Sequence, residues 1–170
     1  DKLRAAGKPL GEYVSGGIYY GIKTGLNEAF VVDRATRDRL IAEHPSSADV
    51  LKPYLRGRDV KRWRVEFAEQ YLIKIESSEN KKHPWSGKPE AEAEKIFQAR
   101  YPAIYNHMQP MRTPLRNRDD QGQYYWELRS CAYWSIFERS KIIYPDIAQR
   151  AEFAFDESGY YIGNTLYSLP

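Results

Sequence analysis

Apolar residues along this chain alternate between strand-like and helix-like spacing, and that alternation restricts the fold more than any other feature. Val14, Ile18, Tyr20 and Ile22 predict a strand over Glu12–Ile22, and a second is expected over Ala29–Asp33, able to pair with the first. "RATRDRLIAEHP" and "SSADVLKPYL" read as two short helices, the second N-capped by Ser46 or Ser47 and stopped near Pro53. Alternation returns in "WRVEFAEQYLIKI", with a break near Glu69, and the polar "ESSENKKHPWSGKPE" reads as a mobile surface loop. Ile96, Phe97, Ile104, Met108 and Leu115 then keep helical spacing through a segment that Pro102 and Pro110 cut into pieces. The last third is strand-like again, with Asp156–Gly159 as a hairpin turn. The order β, α, β, α, β predicts an α/β fold (mixed α+β) of twisted mixed β-sheets with flanking helices.

At 170 residues, 42% of them hydrophobic and 29% charged, the chain suits one globular domain over 1–170. No apolar run approaches the roughly 20 residues that span a bilayer, so no membrane partner is expected. The single cysteine, Cys131, rules out an internal disulfide and reads as a small buried hydrophobe in a reducing, cytoplasmic setting. The sequence opens without Met and stops in mid-pattern at "NTLYSLP", which suggests a fragment of a larger protein.

Catalytic signals are weak. His44, His83 and His107 lie far apart and read as surface or helix-end residues. Glu90, Glu92 and Glu94 sit in the first turns of an expected helix, where acids complement the dipole. "YPD" at Tyr144–Asp146 with Glu152 suggests part of a metal-dependent nuclease motif, but Phe153 and Ala154 follow where a lysine is needed. Phosphate-binding glycine loops and an Asn-Pro-Pro-Tyr-like motif are also missing, so no enzyme is expected in this segment, with no cofactor or metal of its own.

Net charge is only +3, but the basic residues are concentrated. "KPYLRGRDVKRWR" sets Lys52, Arg56, Arg58, Lys61, Arg62 and Arg64 against the one acid Asp59, and "MRTPLRNR" carries Arg112, Arg116 and Arg118 with none. The loop "GIKTGLN" adds Lys23, Thr24 and Asn27, with Gly25 as the expected positive-φ position. Lysine, arginine, hydroxyl and amide groups in loops are the inventory for phosphate contact and base reading, although a solvated basic face gives the same composition. Tyr19, Tyr20, Tyr124, Tyr125, Trp126, Tyr133, Trp134, Tyr160 and Tyr161 come mostly as adjacent pairs. On a strand one member of each pair points out, where it can stack on a base or pack on a neighbouring domain; Trp126 reads as core.

Taken in order, "GIKTGLNEAFVVD", "LKPYLRGRDVKRW", "YYWELRSCAYWSIFERSKIIYPDIA" and "FAFDESGYYIGNTLYSLP" resemble the TaqI-like specificity domain of adenine-specific DNA methyltransferases and type IIG restriction-modification enzymes. That family's Gly-x-x-Thr-Gly-x-Asn-x-Ala-Phe pattern falls on Gly21, Thr24, Gly25, Asn27, Ala29 and Phe30. Its Leu-x-Gly-Arg-Asp/Glu-Ile/Val pattern falls on Leu55, Gly57, Arg58, Asp59 and Val60. Further matches are Trp126, with Arg129 nearby, and Lys141, Ile142 and Pro145.

The resemblance implies a target-recognition domain that reads double-stranded DNA. An N-terminal methyltransferase domain of the same parent chain would flip and methylate adenine with S-adenosylmethionine. Under it the expected DNA-contacting residues are Lys23, Thr24, Gly25, Asn27, Arg56, Arg58, Lys61, Arg62, Arg112, Arg116, Arg118 and Lys141. Two other readings stay open: one recognition half of a type I specificity subunit, and a scaffold domain that binds no DNA.

Overall fold

The computed structural model describes residues 2, 6–15 and 17–170. In chain order its elements are α1 (Leu10–Tyr13), β1 (Tyr19–Tyr20), α2 (Asn27–Phe30), β2 (Val31–Asp33), α3 (Arg34–Glu43), α4 (Ser47–Val50), β3 (Leu51–Leu55), β4 (Val60–Lys61), β5 (Arg64–Val65) and β6 (Gln70–Ile73). There follow α5 (Glu90–Arg100), α6 (Pro102–Met108), α7 (Arg112–Asn117), α8 (Trp134–Phe137), β7 (Lys141–Pro145), β8 (Ala154–Asp156), β9 (Tyr161–Ile162) and β10 (Leu166–Leu169). Helices and several sheets are thus mixed, as the patterning predicts. The chain divides into two compact units, each built from separated segments: residues 1–22, 55–67 and 133–170 in one, 23–54 and 68–132 in the other.

The first unit holds the antiparallel sheet β1-β10-β7-β8 and the β4-β5 hairpin. Its core centres on a buried ion pair. Lys141 is 1% exposed, and its ammonium donates to Asp156 Oδ2 at 2.5 Å and to the Phe137 carbonyl at 2.6 Å. The Asp156 carboxylate also accepts from the backbone N–H groups of Ser158 and Tyr160, at 2.8 and 3.0 Å, and so shapes the turn that contains Gly159 at φ +72°. The expected Asp156–Gly159 turn is present, but β8 pairs with β7 instead of forming a hairpin with β9.

The second unit sets the antiparallel strands β2, β6 and β3 beside helices α2–α7. Its core is aromatic: Trp126 lies between Phe97 and Tyr124, stacked at 5.0 and 4.9 Å, with Tyr125 edge-on at 4.8 Å. Glu127 is fully buried and holds the 76–88 segment in place. Its carboxylate accepts from the Ser78 N–H at 3.0 Å, the Ser78 hydroxyl at 2.5 Å and the Trp85 indole N–H at 2.9 Å. The segment read as a mobile loop therefore contributes Trp85 to the core.

Other expectations shift for local reasons. The stretch Glu12–Ile22 contains the end of α1 and only a two-residue strand, and Gly16 within it lies outside the described residues. Ala29 and Phe30 close a helical turn, so the second strand starts at Val31; β1 pairs with β10 and β2 with β6, not with each other. The helix expected from Ser46 or Ser47 to near Pro53 ends at Val50, where β3 begins and pairs with β6. Glu69 adopts φ +51° at the expected break between β5 and β6. Glu94 is buried, unlike a dipole-complementing surface acid, and accepts from the Tyr125 hydroxyl at 2.8 Å and Arg112 at 2.6 Å. None of the nine paired aromatics turns fully outward. Cys131 is half-buried.

Two predictions follow from this packing. Burial holds the imidazoles of His83 and His107 below the ordinary histidine range, while in the unfolded chain they protonate below about pH 6.5. The unfolded state binds more protons in that window, so stability is full above it and falls as pH drops through it. The urea midpoint should fall between pH 7 and pH 5, and fall less in His107→Phe. Lys141→Met strands the Asp156 charge in the core and is expected to cost about 3–5 kcal/mol, read as a lowered Tm.

Candidate nucleic-acid interface

Buried residues bracket the exposed part of the turn 55–60. Leu55 and Val60 anchor it in the core, and the backbone between them makes the single 3-10 turn Gly57–Asp59. Arg56 folds back on the buried Asp59: Nε donates to Oδ2 and Nη2 to Oδ1, both at 3.0 Å, and the Arg56 backbone N–H adds a third bond at 2.8 Å. Such a fork fixes both side chains, because a planar guanidinium matches a carboxylate at two points. The Gly57 N–H donates to Thr165 Oγ1 at 2.8 Å, and a Cβ at Gly57 would stand 3.1 Å from that oxygen, which explains the small residue. Arg58 is left exposed on a rigid mount.

The chain then forms the β4-β5 hairpin, with Val60 opposite Val65 and Lys61 opposite Arg64. Arg62 and Trp63 are its two-residue loop. Trp63 has φ +68°, a region that favours glycine and costs a bulky residue on the order of 1–3 kcal/mol. Its backbone N–H donates to the Phe153 carbonyl at 2.7 Å, and the Arg62 guanidinium lies 5.7 Å from the indole centroid. Beside the turn a cleft of about 550 Å³ is walled by Arg56, Arg58, Asp146, Ile147, Glu152 and Thr165. It offers hydrogen-bond donors and acceptors together, the mixture that base edges require. Asp146 and Glu152 do meet in this cleft, but among the described residues no group of three or more His, Cys, Asp or Glu side chains is placed to hold a metal ion.

In the second unit the Lys23–Asn27 loop is tied down from within. Thr24 is 3% exposed; its hydroxyl donates to Asn27 Oδ1 at 2.6 Å and accepts from the Leu26 N–H at 3.2 Å. Gly25 takes φ +69°, as its place in the loop suggested. Lys23 is half-buried, and Gly25 and Asn27 are exposed. Arg118, 7% exposed, sends its guanidinium into the carbonyls of Thr24, Glu127, Asp120 and Tyr125, the last two at 2.9 and 3.0 Å. Desolvation lowers its pKa to about 10, and the cation sits 4.4 Å from the Phe30 ring centroid. Arg112 and Arg116 pair with Glu94 and Glu90 while both flank the Tyr125 ring, at 5.6 and 5.0 Å. Burial and the Glu94 carboxylate push the Tyr125 phenol up, so it stays protonated and donates.

The twelve expected contact residues therefore separate. Thr24, Arg118 and Lys141 are buried, with the Thr24 hydroxyl, the Arg118 Nη1 and Nη2 and the Lys141 ammonium bonded inside the protein. Arg56, Arg112 and Arg116 are held in ion pairs with Asp59, Glu94 and Glu90. Arg58 and Arg62 present exposed cations, and Lys61 and Lys23 half-exposed ones. Sequence reasoning passed over Trp63 because tryptophan is not a turn residue, and over Thr165 because the residue that needs it is more than 100 positions away.

Known proteins resemble this chain in sequence pattern and in fold. The family model of the TaqI-like C-terminal specificity domain matches residues 52–170, which include the Arg56–Asp59 turn and the buried Lys141–Asp156 pair. No curated protein matches the sequence. Among solved structures the fold is similar to part of the type IIL restriction-modification enzyme MmeI, whose structure is a complex with DNA. The TM-score is 0.59 at 10% identity, over 90% of this chain and 19% of that one, so the chain spans about a fifth of that enzyme's length. Among the described residues no helix is long and apolar enough to cross a membrane. The chain belongs to the family of TaqI-like C-terminal specificity domains.

Proposed function

We propose that this chain is the sequence-reading module of a restriction-modification adenine methyltransferase of the type IIG kind, and that it docks on double-stranded DNA. The observation that carries the reading is the mounting of Arg58. In a member of a specificity-domain family, an exposed arginine is held on a turn fixed by the Arg56–Asp59 fork and the Gly57–Thr165 bond. Preorganisation of this kind lowers the entropy lost when a guanidinium docks on a base edge or phosphate. Lys61 and Arg62 in the first unit, and Lys23 and Asn27 in the second, supply further donors. A catalytic domain elsewhere in the parent chain would bind S-adenosylmethionine and carry out the methylation, leaving this segment no chemical step. A cytoplasmic setting fits that role.

The recognition half of a type I specificity subunit is the nearest rival, and a methyl-donor motif in the sequence preceding Asp1 would decide against it. Selection from a random duplex library at low and moderate salt separates a reader from a scaffold. An enriched motif that survives the salt increase supports the reader, because nonspecific phosphate binding fades steeply with salt. No retained DNA at low salt supports the scaffold.

Arg58→Ala has two expected signatures. If Arg58 reads a guanine, preference at one position relaxes by about 1–3 kcal/mol. If it meets a phosphate, all duplexes weaken alike and the salt slope becomes shallower by about 0.9. Unchanged affinity and sequence profile would remove Arg58 from the interface.

A further inference from the structure

The β4-β5 hairpin breaks three local rules within a few residues. Trp63 is 69% exposed, whereas Trp85, Trp126 and Trp134 are all buried. A tryptophan normally hides its large apolar surface, so leaving this one in water forgoes stabilisation that the other three indoles realise. Second, a two-residue hairpin loop selects Asn-Gly or a similar pair, yet here a bulky side chain sits at φ +68°. Third, Lys61 stands directly opposite Arg64, a cross-strand pair of like charge that weakens a hairpin. Glu66 relieves part of that repulsion by accepting from Arg64 Nε at 3.0 Å and Nη2 at 2.5 Å.

Departures from local consistency cluster where function demands them. These three share one remedy: a polyanion with flat apolar faces. Phosphates would neutralise the Lys61 and Arg62 cations, and a base would cover the indole. The tip's backbone is also firmly placed, because the Trp63 backbone N–H donates to the Phe153 carbonyl.

We propose that Trp63 is a stacking wedge, whose indole enters the duplex between neighbouring bases while Lys61 and Arg62 hold the flanking phosphates. Apolar side chains inserted in this way unstack a base step and bend the duplex, and the stacking itself is tolerant of sequence. Trp63 therefore supplies affinity and a deformed duplex, and base selection falls to other residues. The assignment rests on the DNA-reading role proposed above.

The test uses a labelled mixed-sequence duplex, with DNA anisotropy and tryptophan emission read in the same titration. In the unmodified protein, the duplex is expected to quench emission and to shield the acrylamide-accessible fraction, which Trp63 dominates. In Trp63→Phe, emission should not respond to DNA. Trp63→Ala should bind about tenfold more weakly with an unchanged salt slope, since stacking is lost and no charge is removed. Trp63→Gly should also bind weakly yet melt at a higher temperature, because glycine accepts the positive φ. A duplex that binds while leaving Trp63 emission and acrylamide access unchanged overturns the wedge and leaves the reader role intact. So does an alanine variant of unchanged affinity. Absence of duplex binding by the unmodified protein at low salt overturns both.

Discussion

The second unit is organised around one buried cation. Arg118 gives up its hydration to reach the carbonyls of Thr24, Asp120, Tyr125 and Glu127, and through them it joins the 23–30 loop to the 118–128 segment. Burying a guanidinium costs several kcal/mol, and the carbonyl cage and the Phe30 face offset it. Only a forked, planar donor can serve so many acceptors from one position; a lysine would present a single point of charge. The loop conformation, the placement of Phe30 and the seating of Trp126 all depend on that fork being filled.

A related device recurs at three irregular stretches of the backbone. Asp59 receives Arg56, Asp156 receives Lys141, and Glu127 receives Ser78 and Trp85, each buried carboxylate fixing a turn that no ladder of backbone bonds could hold. Short strands and four-residue helices have little stability of their own. Buried polar groups with matched partners supply the geometry that regular elements supply in other folds. Arg118 and Lys141 are therefore spent inside the protein, whereas the other described lysines and arginines are at least partly exposed.

Legibility in the sequence followed this division. Mixed architecture was readable because apolar spacing is a local property: α5, α6, β6 and β7 lie where the pattern puts them. Boundaries failed where long-range pairing overrode local spacing, as at Leu51–Leu55, which leave the expected helix to join β6. For the site, the turn around Arg58 was visible as a basic cluster, and the family motif falls on the residues that build it. Which cations face water was not visible. Arg58, Arg118 and Lys141 look alike in a sequence, and what separates them is a carboxylate or a set of carbonyls brought in by the fold. Trp63 was hidden for the opposite reason, since exposure and a positive φ both contradict what a tryptophan ordinarily signals.

The interleaved make-up of the two units has a consequence for synthesis. Tyr19 pairs with Ser168, so β1 leaves the ribosome well before its partner strand exists. At about 5–20 residues per second, the intervening chain takes roughly 7–30 s to emerge. During that interval the central residues 23–54 and 68–132 can collapse around Arg118, while 1–22 and 55–67 wait with apolar and basic side chains unprotected. The hairpin that carries Arg62 and Trp63 belongs to the unit that is completed last, and the nascent chain acquires this tip only once translation of this region is complete.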